Sequence, residues 1–372
     1  MKSGIFHVPY MKPSRSPREV FDYSVLIARE ADQAGFADFM IGEHATQAWE
    51  SVPNPEIVIG ACARETEQLR FAPMAHLLGL HNPASLAIQT GWLSQVLEGR
   101  YFLGVGPGAY PRDAILRGQP ADLSESRPRR DEALKIMQKV WDRKPFHFEG
   151  EYFTGGFPEE GEADDEGAEF HMMPDFSPWN GAENLEIAMT ALSFGSASMK
   201  YAGANDFSPI SFFGGLEVGR SHWAKYEEGQ RENGFTPDRM RFRMCRDIVV
   251  ADTDAEAKRI ALEGGLGHCW EKYLVPVYKE FKILQGYIDD SGTGVEIADL
   301  DMDWIAENVW ICGSPETVVE KLQRMNDDMG GMGQIVMNTH DYADDPKPWI
   351  ESMQRIAREV VPKIVDVAPA AA

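Results

Sequence analysis

One stretch of the sequence, residues 69–111, constrains the fold of this chain more than any other. Two short apolar runs, at 70–78 and 101–105, flank a segment at 83–97 whose apolar residues recur with a helical period. Each run ends in polar, aromatic or glycine residues, and the second leads into the glycine-rich segment VGPGAY. Two buried parallel strands with such residues at their carboxyl ends are typical of the catalytic end of an α/β barrel.

The same alternation of strand-like and helical patterns extends along most of the chain. Strands are predicted at GIFHVPY, at ADFMIGEH and at residues 185–190, 210–213, 241–250 and 334–338; helices are predicted at residues 17–34, 55–65, 127–141 and 348–363. Eight such units favour a closed TIM (β/α)8 barrel, an α/β fold, over an open doubly wound sheet. We expect one domain over residues 1–366, with insertions at about 144–184 and 268–308 and a frayed tail at 367–372.

The charge of the chain indicates what it binds. Among 372 residues, 36 are Lys or Arg and 59 are Asp or Glu, which gives a formal charge of −23 and opposes binding to nucleic acid or to a membrane surface. Seven of the acids and no base lie in residues 158–169, which predicts a solvated loop. We therefore expect a small-molecule substrate, and neither a signal peptide nor a membrane span.

The four cysteines are far apart and include no CxxC pair, so the sequence predicts neither a disulfide framework nor a zinc site. This cysteine usage favours a reducing compartment. We expect a cytoplasmic protein.

Three glycines, Gly104, Gly106 and Gly108, invite comparison with a dinucleotide-binding fingerprint. Pro107 interrupts that pattern, and the following segment YPRDAILRGQPADLSESRP is predicted to be a loop, whereas the fingerprint requires a helix there. Glycines after a barrel strand either let a flat ligand or a phosphate approach the backbone, or form a tight turn.

Several histidines follow the predicted second and third strands. Glu43 and His44 end the segment ADFMIGEH, and His76 and His81 follow the next strand. A histidine at this end of a barrel is either catalytic or structural. The sequence has no HExxH motif and no paired carboxylates at metal-ligand spacing, so we predict no metal site.

A serine-rich segment, LSFGSASMKYA, places Ser193, Ser196 and Ser198 between a predicted strand and a helix. Hydroxyls and free N–H groups at a helix start bind phosphate, although a serine there is also an ordinary N-cap. A GxSxG elbow is missing from the sequence, which gives no support to serine hydrolase chemistry.

Large apolar side chains recur near the predicted strand ends. They are Tyr10, Trp49, Met74, Tyr110, Trp179, Phe212 and Phe213. Each by itself is typical of core packing. Together they would suit a broad apolar pocket for a flat cofactor and a hydrophobic substrate.

Eight segments carry a family resemblance that extends nearly from end to end. They are PYMKPSRS, GEHATQAWESVPNPE, FAPMAHLL, GWLSQVLEGRYFLGVGPGAYP, FEGEYF, DFSPW, CGSPETVVEKL and HDYADDPKPW. Together they resemble the bacterial luciferase-like flavin monooxygenases, and within them the diketocamphane monooxygenases, or type II Baeyer-Villiger enzymes, and limonene monooxygenase-like proteins. The segment LEGRYFLGVG is typical of the whole superfamily, whereas EHATQAWE with FAPMAHLL is narrower.

The resemblance implies a TIM barrel that binds FMN across the strand ends, often as a homodimer. Reduced FMN would come from a separate NAD(P)H:flavin reductase and would react with O₂ to give a flavin 4a-peroxide. We expect this species to oxygenate a hydrophobic cyclic ketone or terpenoid. Alternatives are a luciferase-like monooxygenase or lyase acting on an alkene, a heterocycle or a flavin, a deazaflavin-dependent dehydrogenase or reductase, and a non-catalytic flavin-binding subunit.

The resemblance also implies roles for particular residues. The luciferase motif Glu-His-His corresponds to Glu43, His44 and Ala45, so Glu43 and His44 carry over as catalytic residues, with His44 controlling protonation near the flavin. A non-prolyl cis peptide is expected near Pro73-Met74, behind the flavin ring. Luciferases have an arginine where this chain has Pro107, and Arg112 is the nearest replacement.

The remaining predictions name the residues of the cofactor site and of the substrate pocket. The cofactor-binding residues are predicted to be Pro73, Met74, Ala75, Gly106, Gly108, Tyr110, Ser193 and Ser196. The substrate pocket is predicted to include Tyr10, Trp49, His76, Phe212, Phe213 and Trp179.

Overall fold

The computed structural model describes residues 1–108, 110–157 and 175–367, in which short strands alternate with helices. The strands are β1 Lys2–His7, β2 Asp38–Ile41, β3 Arg70–Pro73, β4 His76–Leu77, β5 Leu103–Gly106, β6 Phe146–Glu149, β7 Thr154–Phe157, β8 Ile187–Ala191, β9 Ser208–Phe212, β10 Arg243–Arg246, β11 Ile248–Val250, β12 Ile311–Gly313 and β13 Gln334–Asn338. The α-helices are α1 Pro17–Ala34, α2 Pro55–Cys62, α3 Pro83–Leu97, α4 Pro111–Leu116, α5 Ser126–Trp141, α6 Ala197–Ala204, α7 Leu216–Glu232, α8 Asp254–Glu263, α9 Gly265–Cys269, α10 Val275–Glu280, α11 Gln285–Ser291, α12 Met302–Asn308, α13 Pro315–Met329 and α14 Lys347–Arg355.

The main sheet closes into a barrel. Its order is β3-β2-β1-β13-β10-β9-β8-β5-β4, and all its pairings are parallel. Because β3 and β4 are two halves of one strand, the ends of the sheet meet. Backbone bonds from Phe71 N–H to Arg100 and from Phe102 N–H to Phe71 close the remaining gap. The predicted eight-stranded TIM barrel is therefore confirmed.

The helices around the barrel begin where the sequence has a polar residue followed by proline. Ser16 accepts a hydrogen bond from the Glu19 N–H in a full capping box, and Pro17 takes the first helical position of α1. Asn82 and Ser314 cap α3 and α13 by accepting the N–H of the third helical residue, and a proline again takes the first helical position. The predicted bounds of α1 and α3 match the structure because these local signals define them.

Two predicted strands are divided. The run at 70–78 is interrupted by a cis peptide bond between Met74 and Ala75, one residue later than predicted. Met74 N–H still donates to Ile41 of β2, whereas His76 and Leu77 pair with β5. The run at 241–250 splits into the barrel strand β10 and the outer strand β11, which pairs with β12 instead of continuing the barrel.

Two helix predictions also need correction. The segment after Gly108, predicted to be a loop, contains the short helix α4. The last helix was predicted to reach residue 363, but α14 ends at Arg355 and continues as a π-helical turn and a 3₁₀ turn. Pro362 lies in the final turn, where its ring and missing N–H are incompatible with an α-helix.

The predicted insertions have different structures. The first begins with the antiparallel hairpin β6–β7, and the predicted acidic loop at 158–169 lies outside the described residues. The second consists of helices α10 to α12 and the π-helical turn Trp270–Leu274 that precedes them. A continuous cluster of buried apolar side chains runs from Ile5 to Ile364, and on this basis we propose one domain over residues 1–366. Across the described ranges, none of the helices is both long enough and apolar enough to cross a membrane.

Candidate active site

A cavity of about 830 Å³ opens at the carboxyl ends of the barrel strands. This volume is typical of a pocket for a cofactor together with a small substrate, and this end of a TIM barrel carries the active site in characterised enzymes. Eleven of the sequence-predicted site residues line it: Tyr10, Glu43, His44, Met74, Ala75, Gly106, Gly108, Tyr110, Ser193, Ser196 and Phe212.

Three of the residues predicted for the site face away from the cavity because of strand geometry. Pro73 is buried in β3, before the cis bond. His76 lies between Ala75 and Leu77, which line the cavity, so its side chain emerges on the opposite face of the strand. Phe213 follows the end of β9 with φ of +52°, and its ring packs on Trp270 and Tyr278 instead.

Two predicted tryptophans lie elsewhere. Trp179 packs against Gly99, before β5, and its backbone N–H donates to Ser94. It therefore lies near the amino end of the strands, because the first insertion must return there to enter β8. Trp49 is stacked on Tyr273 of the second insertion, with ring centroids 5.8 Å apart and 9° between the planes, and is not part of the cavity wall.

His44 is held between two carboxylates. Its Nε2 lies 2.9 Å from Glu50 Oε2, and its Nδ1 lies 3.6 Å from Asp113 Oδ2, an ion-pair distance that is too long for a hydrogen bond. Burial by itself would lower the pKa of His44, but the charges of Glu50 and Asp113 raise it to about 9. His44 is therefore an imidazolium at neutral pH, and its buried Nδ1 has no hydrogen-bond acceptor among the residues that the structure describes.

The two carboxylates that face His44 are themselves fixed. Asp113 Oδ1 accepts hydrogen bonds from the Thr46 hydroxyl and the Ala45 N–H. These contacts and His44 lower the pKa of Asp113 although burial would raise it. Glu50 is 4% exposed, and its Oε1 accepts from the phenol of Tyr273 at 2.6 Å.

Glu43, at the cavity wall, also belongs to a second buried cluster that extends behind it. Its Oε2 lies 2.8 Å from His76 Nδ1 and its Oε1 lies 2.7 Å from His81 Nε2, while His76 Nε2 contacts Glu56. Burial would lower the pKa of His76, but Glu56 and Glu43 raise it to about 9. Glu43 thus compensates a buried imidazolium beneath the site.

The geometry of Glu43, His76 and His81 bears on metal binding, since one ligand atom from each lies within 4.8 Å of the others. Each carboxylate–imidazole contact is nevertheless at hydrogen-bond length. The guanidinium of Arg117 also lies 3.8 Å from Glu43 Oε1, which disfavours a second cation. Hydrogen bonding accounts for this cluster, and we assign no metal to it.

A flat, apolar surface forms one wall of the cavity. A Cβ at position 104 would overlap the Pro73 carbonyl and reach 2.7 Å from the Met74 sulfur, so a glycine is required for β5 to approach the Met74-Ala75 bond. A Cβ at position 106 would lie 3.2 Å from that of Ala75, and Gly108 has φ of +87°. Exposed backbone of this kind offers a planar ring both contact area and hydrogen-bonding groups.

A polar corner lies at the start of α6. The hydroxyl of Ser196 caps this helix, and Ser193 and Ser198 also line the cavity there; Arg127 lines the same cavity from the first turn of α5. Hydroxyls, helix N–H groups and a guanidinium are the donor set that binds phosphate in proteins. Arg112, the basic residue expected from the sequence, is exposed and does not line the cavity.

Helix α7 anchors this polar corner. His222 Nε2 donates to the Ser193 carbonyl at 2.8 Å, and its Nδ1 accepts from the Ser211 hydroxyl at 2.9 Å. Burial lowers the pKa of His222 to about 4, which leaves it neutral, as this pair of bonds requires. The Gly195 N–H donates to the Ser221 hydroxyl, so two bonds fix the loop between β8 and α6.

Several lining residues were missed in the sequence. Arg127 lies in the first turn of α5, a helix that the sequence locates but does not orient. The second insertion supplies Leu274, Val277, Tyr278, Phe281 and Ile283 to the cavity wall. Its apolar helices indicate packing, but no local pattern shows which barrel loop they cover.

A glycine-lined apolar wall, a phosphate-type corner and an imidazolium share one cavity at the catalytic end of a TIM barrel, which defines a cofactor-using barrel enzyme. The chain belongs to the luciferase-like monooxygenase family, whose sequence model matches residues 1–331. The family membership predicted from the sequence is thus confirmed.

Three similar proteins narrow this class. The chain is 53% identical over 365 residues to 2,5-diketocamphane 1,2-monooxygenase 1 of Pseudomonas putida, covering 98% of this chain and 99% of the relative. It is 45% identical over 376 residues to 3,6-diketocamphane 1,6-monooxygenase of the same organism, covering 98% of each chain. The solved FMN complex of the oxygenating constituent of Pseudomonas putida 3,6-diketocamphane monooxygenase, described as a type II Baeyer-Villiger monooxygenase, is 44% identical, with a TM-score of 0.93 and 99% of both chains covered.

Proposed function

We propose that this protein is the oxygenating component of a two-component, FMN-dependent Baeyer-Villiger monooxygenase. It converts a hydrophobic cyclic ketone, O₂ and reduced FMN into a lactone, water and oxidised FMN. The observation that carries the proposal is the cavity, which combines an apolar planar wall, a phosphate-type corner and a charged histidine. The full-length similarity to diketocamphane monooxygenases supports the same reaction class.

The residues of the cavity fit FMN. Met74, Ala75, Gly106 and Gly108 would support the ring, with Tyr110 beside them, and Ser193, Ser196, Ser198 and Arg127 would hold the phosphate. Reduced FMN supplies the electrons that activate O₂. A separate NAD(P)H:flavin reductase would provide it in that form.

His44 supplies a positive charge and a proton at the cavity wall. In the ketone, the carbonyl oxygen gains negative charge as its carbon is attacked, and a nearby cation stabilises that charge. His44 Nε2 lies 2.9 Å from Glu50 Oε2, and its buried Nδ1 lies 3.6 Å from Asp113 Oδ2, so both nitrogens of the charged ring face carboxylates. Because these carboxylates keep the imidazole protonated, His44 acts as a cation and a proton donor and not as a general base.

The substrate would bind among apolar groups. Tyr10 and Phe212 line the cavity from the barrel, and Leu274, Val277 and Tyr278 line it from the second insertion. These side chains favour a hydrophobic ring and reduce the access of water to the reacting groups.

The proposal is tested by supplying reduced FMN from a flavin reductase, NADH and ¹⁸O₂, with a bicyclic diketone as substrate. We expect a lactone that contains one ¹⁸O atom, detected by mass spectrometry. The outcome that would refute the proposal is an unlabelled or absent product from a panel of cyclic ketones, together with substrate turnover that depends on a reduced deazaflavin.

Arg127 provides a test of the phosphate corner. Replacing it with alanine removes charge-assisted hydrogen bonds, so we expect the Kd for reduced FMN to rise about 10- to 100-fold. Anaerobic fluorescence titration measures this change. The matched control is Arg112→Ala, which removes an exposed arginine outside the cavity and should leave the Kd within twofold; equal effects of the two variants would remove Arg127 from the phosphate site.

We also propose a homodimer that forms through α3. Ile88, Trp92 and Val96, spaced four residues apart, are 38%, 61% and 53% exposed on its outer face, and Ile57 of α2 is 63% exposed. Residues 83–97 contain no charged side chain, whereas the chain as a whole carries −23. Two copies can therefore approach each other at this face without charge repulsion, and burying it stabilises the pair.

The dimer is tested with Trp92→Glu. We expect wild-type protein to sediment at twice the chain mass and Trp92→Glu at the mass of one chain at micromolar concentration, because the carboxylate would be buried without a partner. Phe235→Glu, which charges an exposed aromatic position outside α2 and α3, should remain dimeric. If wild-type protein is a monomer, the proposed interface is wrong.

A cytoplasmic location is a further part of the proposal. All four cysteines are free and buried, and burial raises the pKa of Cys62 and of Cys312 to about 12. Such thiols need no disulfide partner, which is consistent with a reducing compartment.

A further inference from the structure

The second insertion contacts the loop that carries His44. Tyr273, in the π-helical turn Trp270–Leu274, is stacked on Trp49 of that loop, and its hydroxyl lies 2.6 Å from Glu50 Oε1. The contact joins residues more than 220 positions apart in the chain. Tyr273 does not line the cavity, so it cannot act by touching the substrate.

The two oxygens of Glu50 have separate partners. Oε1 accepts hydrogen bonds from the Tyr273 phenol at 2.6 Å and from the Tyr110 phenol at 3.4 Å, and Oε2 forms an ion pair with His44 Nε2 at 2.9 Å. A carboxylate with one oxygen hydrogen-bonded and the other in an ion pair cannot rotate without losing one of these contacts. Its position relative to the imidazole is therefore set by the phenol on its other side.

We propose that Tyr273 is a positioning residue for His44, because its phenol fixes Glu50 in the orientation that forms the ion pair with Nε2 of the imidazole. The second insertion thereby completes the acid group of the active site. The proposal rests on the proposed function for what His44 does, but the hydrogen-bond chain itself can be tested without turnover.

Four charged or titratable side chains of the described residues surround His44 directly or through Glu50. Glu50 and Asp113 face its two nitrogens, Tyr110 packs edge-on with ring centroids 5.1 Å apart, and Tyr273 is reached through Glu50. Its neighbour Glu43 faces His76 and His81 instead. Burial raises the pKa of Tyr273, and the negative charge of Glu50 raises it further. The phenol therefore keeps its proton and remains a hydrogen-bond donor throughout the pH range in which His44 titrates.

The position of Tyr273 also connects the acid to the substrate pocket. Leu274 follows it directly, and Tyr278 lies one helical turn further on; both line the cavity. A substrate that packs against these two side chains presses on the same insertion that holds Glu50. This arrangement makes the docking of the insertion a requirement for a fully charged His44.

The direct test is an NMR titration of His44 in the cofactor-free protein, labelled at histidine and assigned with His44→Asn. We expect Glu50→Gln to lower the pKa of His44 by about 1–3 pH units, since an adjacent charge is lost. Tyr273→Phe should lower it by about 0.5–1 unit, because the hydrogen bond that orients Glu50 is lost. Tyr342→Phe, which removes a phenol that donates to the Ile260 carbonyl away from the cavity, should leave it unchanged.

The pH profile of turnover supplies a second readout. The raised pKa of His44 keeps it charged below about pH 9 and lets it lose its proton above that value, so kcat of the wild type should fall as pH rises through about 9. In Tyr273→Phe this fall should move to lower pH by the same amount as the NMR pKa. The KM for the ketone should change less than twofold, since Tyr273 does not contact it.

The outcomes distinguish the positioning role of Tyr273 from the proposed monooxygenase function. If Tyr273→Phe leaves both the pKa of His44 and the pH profile unchanged while the wild type oxygenates ketones, the positioning role is wrong. If the pKa shifts but no variant or wild type oxygenates any ketone, the positioning role stands and the proposed function is wrong. A double-mutant cycle gives independent support, because Tyr273→Phe should have no further effect on the pKa of His44 in a Glu50→Gln background.

Discussion

Replacing His44 with alanine is expected to lower the rate of ketone oxygenation by about 10²- to 10⁴-fold, the range that removal of a general acid produces. The variant loses the positive charge that His44 holds between Glu50 and Asp113 at the cavity wall. Binding of reduced FMN should weaken by less than threefold, because the phosphate corner and the apolar wall do not involve His44. Single-turnover product yield and anaerobic flavin titration measure the two effects separately.

A second substitution, His44→Gln, distinguishes the effect of the positive charge from the effect of hydrogen bonding. His44→Ala leaves Glu50 and Asp113 facing an empty position, where one of them would take up a proton. His44→Gln keeps a hydrogen-bond donor near Glu50 but carries no charge, so it should remain at least about 10²-fold impaired if the charge is what matters. The matched control is His147→Ala, on an exposed hairpin position; its rate should equal that of the wild type. Full activity of His44→Gln would show that hydrogen bonding is sufficient.

The barrel could be predicted because its determinants are local. Helices α1 and α3 begin at a capping residue followed by proline, and they end at residues that the sequence locates correctly. The strand β13 likewise has the predicted bounds, since a run of five buried residues with turn residues around it has few alternatives. Residues that closely follow a predicted barrel strand, such as His44 after β2, consequently lie at the carboxyl end of the barrel.

The site could be predicted only in part, because side-chain direction and long-range contacts are not local. His76 was grouped with His44, but strand alternation turns it to the other face, towards Glu43 and Glu56. Trp49 was assigned to the substrate, whereas its actual partner is Tyr273. No pattern within either segment indicates that pairing, which depends on how the insertion folds back over the barrel.

A second large effect is expected at the opposite end of the barrel. Arg243, the first residue of β10, is 7% exposed and donates to Gln334 at 2.7 Å and to Asp38 at 3.2 Å, with Glu186 at 2.7 Å. Burial would lower the pKa of its guanidinium, but Glu186 and Asp38 raise it. Arg243→Met keeps most of the side-chain volume and leaves these acids without their main cation. We expect the free energy of unfolding to fall by about 3–5 kcal/mol.

The pH dependence of this loss has a definite sign. Burial would raise the pKa of Glu186, but Arg243 and Arg70 lower it to about 2 in the folded protein. A lowered folded pKa stabilises the protein above the ordinary value near 4.5, and that contribution is lost as pH falls towards 2. In Arg243→Met the pKa of Glu186 should rise, so denaturant unfolding should show a larger difference from wild type at pH 7 than at pH 4.

Two further variants show whether the loss comes from unpaired charge. Arg259→Met breaks only an exposed pair with Glu263 and should change stability by less than about 0.5 kcal/mol. Adding Glu186→Gln and Asp38→Asn to Arg243→Met should restore part of the lost stability, because removing both signs of charge costs less than leaving one buried and unpaired. If the triple variant is instead less stable than Arg243→Met, packing and not charge determines the effect. In all folded variants of this cluster the flavin affinity should be unchanged, since the cavity lies at the other end of the strands.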